Sequence, residues 1–159
     1  MGDYNPFSLK GKTFLVTGAS SGIGRGIAVA CSRMGASVMI NGRNEQKLNE
    51  TLSQMDGSEN MIHVADLSNA EQMTAMVSSL TKLDGIVHCA GIGQRVLCKQ
   101  LEEQDLDNMM DANFKAPVML QTEILKQKKI NKNSSVVFGA SIAYDSPTVG
   151  NAMYSASKG

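Results

Sequence analysis

The sequence predicts an α/β fold: a doubly wound parallel sheet of five strands in the order 3-2-1-4-5, with helices on both faces. Three observations predict it. Short apolar runs alternate with helical patterns along the chain. A glycine-rich turn joins the first such run to the first helix. The alternation is never interrupted by a hairpin-like pair of strands, and right-handed crossovers then leave a doubly wound sheet as the simplest arrangement.

Each element can be justified in order. Residues 12–17, Lys-Thr-Phe-Leu-Val-Thr, are rich in β-branched and large apolar side chains and read as the first strand. Residues 22–34 carry Ile23, Ile27, Ala30 and Cys31 at spacings of three and four, the pattern of an amphipathic helix. Between them stands Thr17-Gly18-Ala19-Ser20-Ser21-Gly22-Ile23-Gly24, around which the rest is arranged. One glycine permits a tight turn, one lets the backbone approach a pyrophosphate, and one lets the helix lie close on the strand. Free N–H groups and the positive helix end then face phosphates. With a strand before it and a helix after it, the turn makes Gly18, Ser20, Ser21, Gly22, Ile23 and Gly24 candidate dinucleotide contacts, a plain structural turn being the alternative.

Residues 37–41 read as a second strand and 45–54 as a polar helix. Residues 60–64 read as a third strand ending at Ala65-Asp66-Leu67. Ser68-Asn69-Ala70-Glu71 signals the start of a third helix, which carries Met73, Met76, Val77 and Leu80 on one face. Residues 84–88 form a fourth strand closed by Ala90-Gly91, a long helical region covers about 102–128, and residues 135–139 form a fifth strand. The ligand crevice of such a sheet lies at the carboxyl ends of strands one and four.

At 159 residues the chain has the length of one domain, read as a single dinucleotide-binding domain. Fifteen basic residues cancel fifteen acidic ones, and neither sign forms a long run, so no footprint for nucleic acid or an anionic membrane is present. Lys126, Lys128, Lys129 and Lys132 read as the solvated end of a helix. No apolar stretch reaches the roughly 18 residues of a membrane span, and the first ten residues lack a signal-peptide plan, so the expectation is a soluble, cytoplasmic protein. Three cysteines without metal-like spacing predict no metal site. Cys31 and Cys89 read as buried apolar residues, and Cys98 as a loop thiol with no activating neighbour.

An acidic residue at the end of the second strand commonly binds the adenosine ribose and disfavours a 2′-phosphate. Here Gly42 holds that position and Arg43 follows it, able to pair with a phosphate; Arg25 is a second candidate. NADP is therefore expected over NAD, against the alternative that both arginines are ordinary surface residues. Asp66 ends the third strand, where an aspartate just before a helix reads by itself as a cap.

The sharpest constellation lies near the C-terminus. Tyr154 and Lys158 are four apart and share one face of a helix. An ammonium beside a phenol favours the phenolate, making a proton donor and acceptor suited to a carbonyl oxygen while a nicotinamide carries hydride. Ser141 lies just past the fifth strand, where a hydroxyl can bond a substrate oxygen. Asn113 precedes Pro117, so the backbone around it should be irregular, a place for a water; capping of a second helix segment is the alternative.

Together these residues resemble the short-chain dehydrogenase/reductase family, of the compact kind that includes 3-oxoacyl-(acyl carrier protein) reductases, over essentially every residue from Lys12 onward. The resemblance implies a Rossmann-like fold, with the phosphate turn on Gly18, Gly22 and Gly24, an adenine contact at Asp66-Leu67, and a strand-four motif at His88-Cys89-Ala90-Gly91. It implies that Tyr154 is the acid/base, that Lys158 supports it and holds the nicotinamide ribose, that Ser141 orients the carbonyl, and that Asn113 anchors a relay water. The activity implied is oxidoreduction between a small-molecule carbonyl and a secondary alcohol, 3-oxoacyl thioesters among the options, in a homo-oligomer of two or four subunits paired through residues 102–128.

Two departures qualify it. Where the family has Asn-Asn-Ala-Gly this chain has His88-Cys89-Ala90-Gly91, and His88 reads as a packed structural histidine. Family members also continue past the position of Gly159 through further strands and a substrate-covering loop. A non-catalytic nucleotide-binding or redox-sensing module, or an inactive truncated fragment, is the alternative reading.

Overall fold

Period-two alternation on the central strands separates two cores. Strand β1 (Thr13–Val16) sends Leu15 to one face and Val16 to the other, both fully buried. Strand β2 (Ser37–Gly42) divides likewise, Met39 against Val38 and Ile40, and β4 (Leu83–His88) divides Ile86 from Val87. The computed structural model describes residues 5–159. With β3 (Met61–Val64) and β5 (Ile130–Phe138) the strands form one sheet, all pairs parallel, in the order β3-β2-β1-β4-β5. Fold class and strand order are those the sequence predicts.

Helices α1 (Gly22–Arg33) and α2 (Glu45–Leu52) cover the Val16 face through Ala28 and Leu48. Helix α3 (Ala70–Ser79) covers the Leu15 face with Met73, Met76 and Val77, beside Leu120 and Ile124 of α5 (Ala116–Lys126). The start signal before α3 resolves to Asn69, whose side chain accepts from Gln72 N at 3.0 Å. Among the described residues no helix is long and apolar enough to cross a membrane.

The long helical region is not one helix. Helix α4 (Glu103–Met110) opens with a capping box between Glu102 and Asp105, and a π turn (Asp111–Lys115) separates it from α5. Pro117 lacks an N–H to give the Asn113 carbonyl four residues back, and one widened turn absorbs the mismatch.

Three expectations need correction. Strand β5 starts at Ile130, not near residue 135, because the polar run Asn131–Ser135 joins the ladder through a bulge, with Asn133 at φ 61° and Asn131 Nδ2 donating to Asp84 Oδ1 at 3.1 Å. The lysine cluster is not merely solvated: Lys129 Nζ donates to Ser78 O at 2.8 Å and Leu80 O at 2.7 Å, closing the end of α3. Cys31 and Cys89 are half-buried rather than buried; burial pushes both thiols up, with Lys158 pulling Cys89 the other way. Cys98 is exposed in a short 3-10 turn (Cys98–Gln100).

Helix α6 (Ala152–Lys158) packs beside a second 3-10 turn (Ile142–Tyr144) that follows β5. Both lie beyond the carboxyl end of the sheet's last strand, which brings them to the rim where β1 meets its glycine turn.

Candidate functional site

The glycine turn builds its cleft by contact. Gly18 holds φ +65°, and a Cβ there would sit 2.7 Å from Ala90 N, so only glycine lets the β4 end lie against the turn. Thr17 Oγ1 locks that approach, accepting from Cys89 N and Ala90 N at 3.1 Å each. A Cβ on Gly24 would strike the Gly18 carbonyl, so Gly24 seats the helix on the turn. Gly22, at φ +55°, has nothing among the described residues within 4 Å of its Cβ position apart from its own stretch of chain; the space over it is open. Tight approach, helix packing and open access thus fall on three different glycines.

The resulting cleft has a volume of about 220 Å³ and is lined by Gly18, Ser20, Ser21, Gly42, Arg43, Asp66, Leu67, Ala90 and Gly91, among others. Gly22, Gly24 and the exposed Ile23 do not line it. Asn41 and Ala65 do. Asn41 Nδ2 donates to His63 O at 3.0 Å and Ala65 O at 3.2 Å, fixing the β3 end beside the β2 end.

A Cβ built on Gly42 would run into Ser20 Oγ, so any side chain at this position requires the Ser20 hydroxyl to turn away. Arg43 is exposed, its Nη1 3.9 Å from Asp66 Oδ2. A carboxylate therefore does stand near Arg43, supplied by the β3 end instead of the β2 end; so exposed a pair is weak. Asp66 is not the cap of α3: its Oδ1 accepts from Ser68 N at 2.9 Å, and its own N–H donates to Gln72 Oε1 at 2.9 Å. Arg25 is not a free phosphate ligand. Its Nε donates to Thr51 Oγ1 at 2.9 Å, and its Nη2 to Ser20 O at 2.6 Å and Glu50 Oε2 at 3.2 Å.

Asn113 sits in the π turn, 6% exposed. Its Oδ1 accepts from Ile92 N at 2.7 Å, and its Nδ2 donates to Ile92 O and Ser157 Oγ, each at 2.9 Å. It caps no helix; it ties the β4 loop, the π turn and α6 together. A Cβ on Gly91 would come within 2.9 Å of Asn113 Oδ1 and 3.7 Å of Lys158 Nζ, so these groups crowd one point of the rim. Lys158 Nζ donates to Gly139 O at 2.9 Å. Ser141 Oγ accepts from Ala143 N at 3.2 Å, opening the 3-10 turn, and among the described residues its hydroxyl proton has no acceptor. Tyr154, half-buried, shares its face of α6 with Lys158. Among the described residues no hydrogen bond joins the Tyr154 hydroxyl to Ser141 or Lys158.

Asn113, Ser157 and Lys158 line a second cavity of about 200 Å³ with His88, Phe138 and Gly139. His88 is packed: it is 3% exposed, its Nε2 lies 3.0 Å from Gln121 Oε1, and its ring stacks on Phe138 at 4.4 Å. Burial pushes its pKa down, the bond to Gln121 partly opposing. Among the described residues no group of histidines, cysteines and carboxylates is placed to hold a metal.

Thr17, Asn41, Thr51 and Ser157 shape the site yet carry no pattern in the sequence. Each is a single polar residue whose partner lies 22 to 73 positions away.

A family model describing short chain dehydrogenase matches residues 12–159. The 3-oxoacyl-(acyl-carrier-protein) reductase of Rickettsia felis is 37% identical over 150 residues, covering 94% of this chain and 62% of that protein. An uncharacterized oxidoreductase of Staphylococcus epidermidis is 33% identical over 153 residues, covering 94% and 66%. The crystal structure of a short chain dehydrogenase from Shigella flexneri superposes with a TM-score of 0.85 at 30% identity, covering 97% of this chain and 64% of that one. This chain thus spans somewhat under two thirds of the length of the Rickettsia relative. Glycine turn, sheet order and matched length agree: the chain belongs to the short chain dehydrogenase family.

Proposed function

We propose that this chain provides the nucleotide cradle and proton-transfer groups of an NADP-dependent oxidoreductase that interconverts a carbonyl and a secondary alcohol. One observation carries the reading: Ala90 lines both cavities, so the glycine-turn cleft and the cavity holding Lys158 adjoin on one rim. The name of the Rickettsia relatives favours 3-oxoacyl thioesters as substrate.

The residues fit the dinucleotide. Ser20 and Ser21 would line the phosphate end of the cleft, beside the open space over Gly22, and Asp66-Leu67 would border the adenosine end. The Ser20 hydroxyl over Gly42 and the exposed Arg43 favour a 2′-phosphate over bare ribose hydroxyls. Ala90 and Gly91 would present backbone to the cofactor, and Lys158, its Nζ 3.7 Å from a Cβ placed on Gly91, would hold the nicotinamide ribose. When bound, the cofactor supplies or accepts the hydride at the substrate carbon.

Tyr154 gives its hydroxyl proton to the carbonyl oxygen in reduction and takes it back in oxidation. Ser141, whose hydroxyl proton has no acceptor among the described residues, hydrogen-bonds that same oxygen. Asn113 fixes α6 against the β4 loop, and the widened turn around it is the place for a relay water. A second copy of the chain pairs over the exposed Phe114, Val118, Met119 and Leu125 of the π turn and α5, which would remove this apolar surface from water.

The test is NADPH oxidation with a panel of β-keto esters and thioesters. Turnover that disappears in Tyr154→Phe supports the reading; turnover unchanged in that variant removes it. Binding of NADPH with no turnover on any carbonyl favours the non-catalytic nucleotide-binding module instead.

A further inference from the structure

We infer that Arg25 and Thr51 are positioning residues that aim the glycine-turn amides into the nucleotide cleft, without touching the nucleotide. The inference rests on the dinucleotide reading above.

Thr51, in the last turn of α2, is fully buried. Its single hydroxyl proton goes to Ala19 O at 2.8 Å, the nearer of two carbonyls, with Lys47 O at 3.1 Å, and its oxygen accepts from Arg25 Nε at 2.9 Å. Arg25, in the first turn of α1, also sends Nη2 to Ser20 O at 2.6 Å. Two consecutive carbonyls of the glycine turn are therefore pulled toward α2. No peptide bond among the described residues is cis. In a trans peptide the N–H points opposite to the C=O. Pinning Ala19 O thus turns Ser20 N–H the other way, and pinning Ser20 O does the same for Ser21 N–H. Ser20 and Ser21 line the cleft, and among the described residues neither amide has an acceptor. Such aligned donors bind phosphate oxygens. Arg25 is paired with Glu50 at 3.2 Å, so its charge is offset and its effect runs through hydrogen-bond geometry. An arginine at a helix start ordinarily extends into solvent; this one is folded back over the turn.

The experiment measures affinities for NADPH and for adenosine 2′-phosphate, which keeps adenosine and the 2′-phosphate but lacks the pyrophosphate. Thr51→Val and Arg25→Ala are expected to weaken NADPH about tenfold, the value of one charge-assisted bond, with adenosine 2′-phosphate changed less than about twofold. Thr51→Ser is expected to restore NADPH binding. Arg25→Lys is expected to fail like Arg25→Ala, because one ammonium cannot span Thr51 Oγ1 and Ser20 O as the guanidinium fork does. Thermal midpoints show which variants are folded, and Arg25→Lys decides the question should Thr51→Val unfold. Wild-type NADPH affinity in folded Thr51→Val or Arg25→Lys overturns the inference. So does an equal loss for both ligands, which marks a general structural role. A wild-type chain that binds neither ligand removes the dinucleotide reading itself, and the inference with it.

Discussion

Asn113 Nδ2 donates to Ser157 Oγ across 2.9 Å, joining the π turn to the helix that carries Tyr154 and Lys158. Ser157 in turn donates to Tyr154 O at 2.8 Å, so the bond holds that helix by its own backbone. A helix of seven residues is too short to persist without such packing.

Removing that amide leaves Ile92 N and O without their partner and takes the donor from Ser157 Oγ, which keeps its bond to Tyr154 O. Asn113→Ala is expected to cost about 2 kcal/mol or more of stability by urea denaturation. Ser157→Ala should cost less, and the double variant should fall short of the sum by roughly 1 kcal/mol. Strict additivity would show that the two side chains act independently.

Gly18 and Gly22 both hold positive φ, but one faces backbone and the other faces open space. Gly22→Ala should cost about 1 kcal/mol, the strain of alanine in that region, and still lose NADPH binding because its methyl enters the approach to the turn. Gly18→Ala should cost about 2–3 kcal/mol, since its methyl meets Ala90 backbone. Equal stability losses in paired unfolding curves would refute the separation of roles.

Cofactor choice is testable at Gly42, Ser20 and Arg43. Arg43→Ala should weaken NADPH about five- to tenfold and leave NADH nearly unchanged. Gly42→Asp alone should weaken both cofactors by displacing Ser20, whereas Gly42→Asp with Ser20→Gly should favour NADH. Fluorescence titration of both cofactors reads the ratio; a ratio identical in all four proteins removes Arg43 and Gly42 from the specificity argument.

Stability should fall with acid in two stages. Burial lowers the pKa of His88 and of His63 below the ordinary histidine value, so the unfolded chain binds more protons between the folded and unfolded values. Their contribution is complete above about pH 6.5 and is lost as pH falls through the lowered folded values. Asp84 follows at lower pH: its carboxyl is held below the usual range first by the Thr13 N–H, then by Asn131 and Lys12. That contribution is present above about pH 3.9 and is lost as pH falls through the depressed value. His88→Gln should flatten the upper stage and Asp84→Asn the lower one in thermal melts across pH. An unchanged profile in His88→Gln would mean that its imidazole titrates alike folded and unfolded.

Most of the architecture is legible in the chain, and the reason is visible in particular residues. Leu15 and Val16, or Met39 and Ile40, face opposite cores because adjacent strand residues must, and the glycine turn stands where a strand hands over to a helix. Strand β5 reads short in the sequence because Asn131–Ser135 carry no apolar pattern; pairing with β4 recruits them. Arg25 looks like a phosphate ligand because its neighbours in sequence are the turn, whereas its partners in space are Thr51, Ser20 O and Glu50.

The sequence alone determined the order of strands and helices and the place of the glycine turn, since each follows from local periodicity and chain chirality. Only the tertiary structure decided that Ser20 fills the space over Gly42, that Asp66 meets Arg43, and that Asn113 binds Ile92 and Ser157 instead of capping a helix. Those contacts join residues 21 to 44 positions apart. Buried polar groups must find partners somewhere, and which partner is near is a property of the packed sheet, not of any stretch of chain.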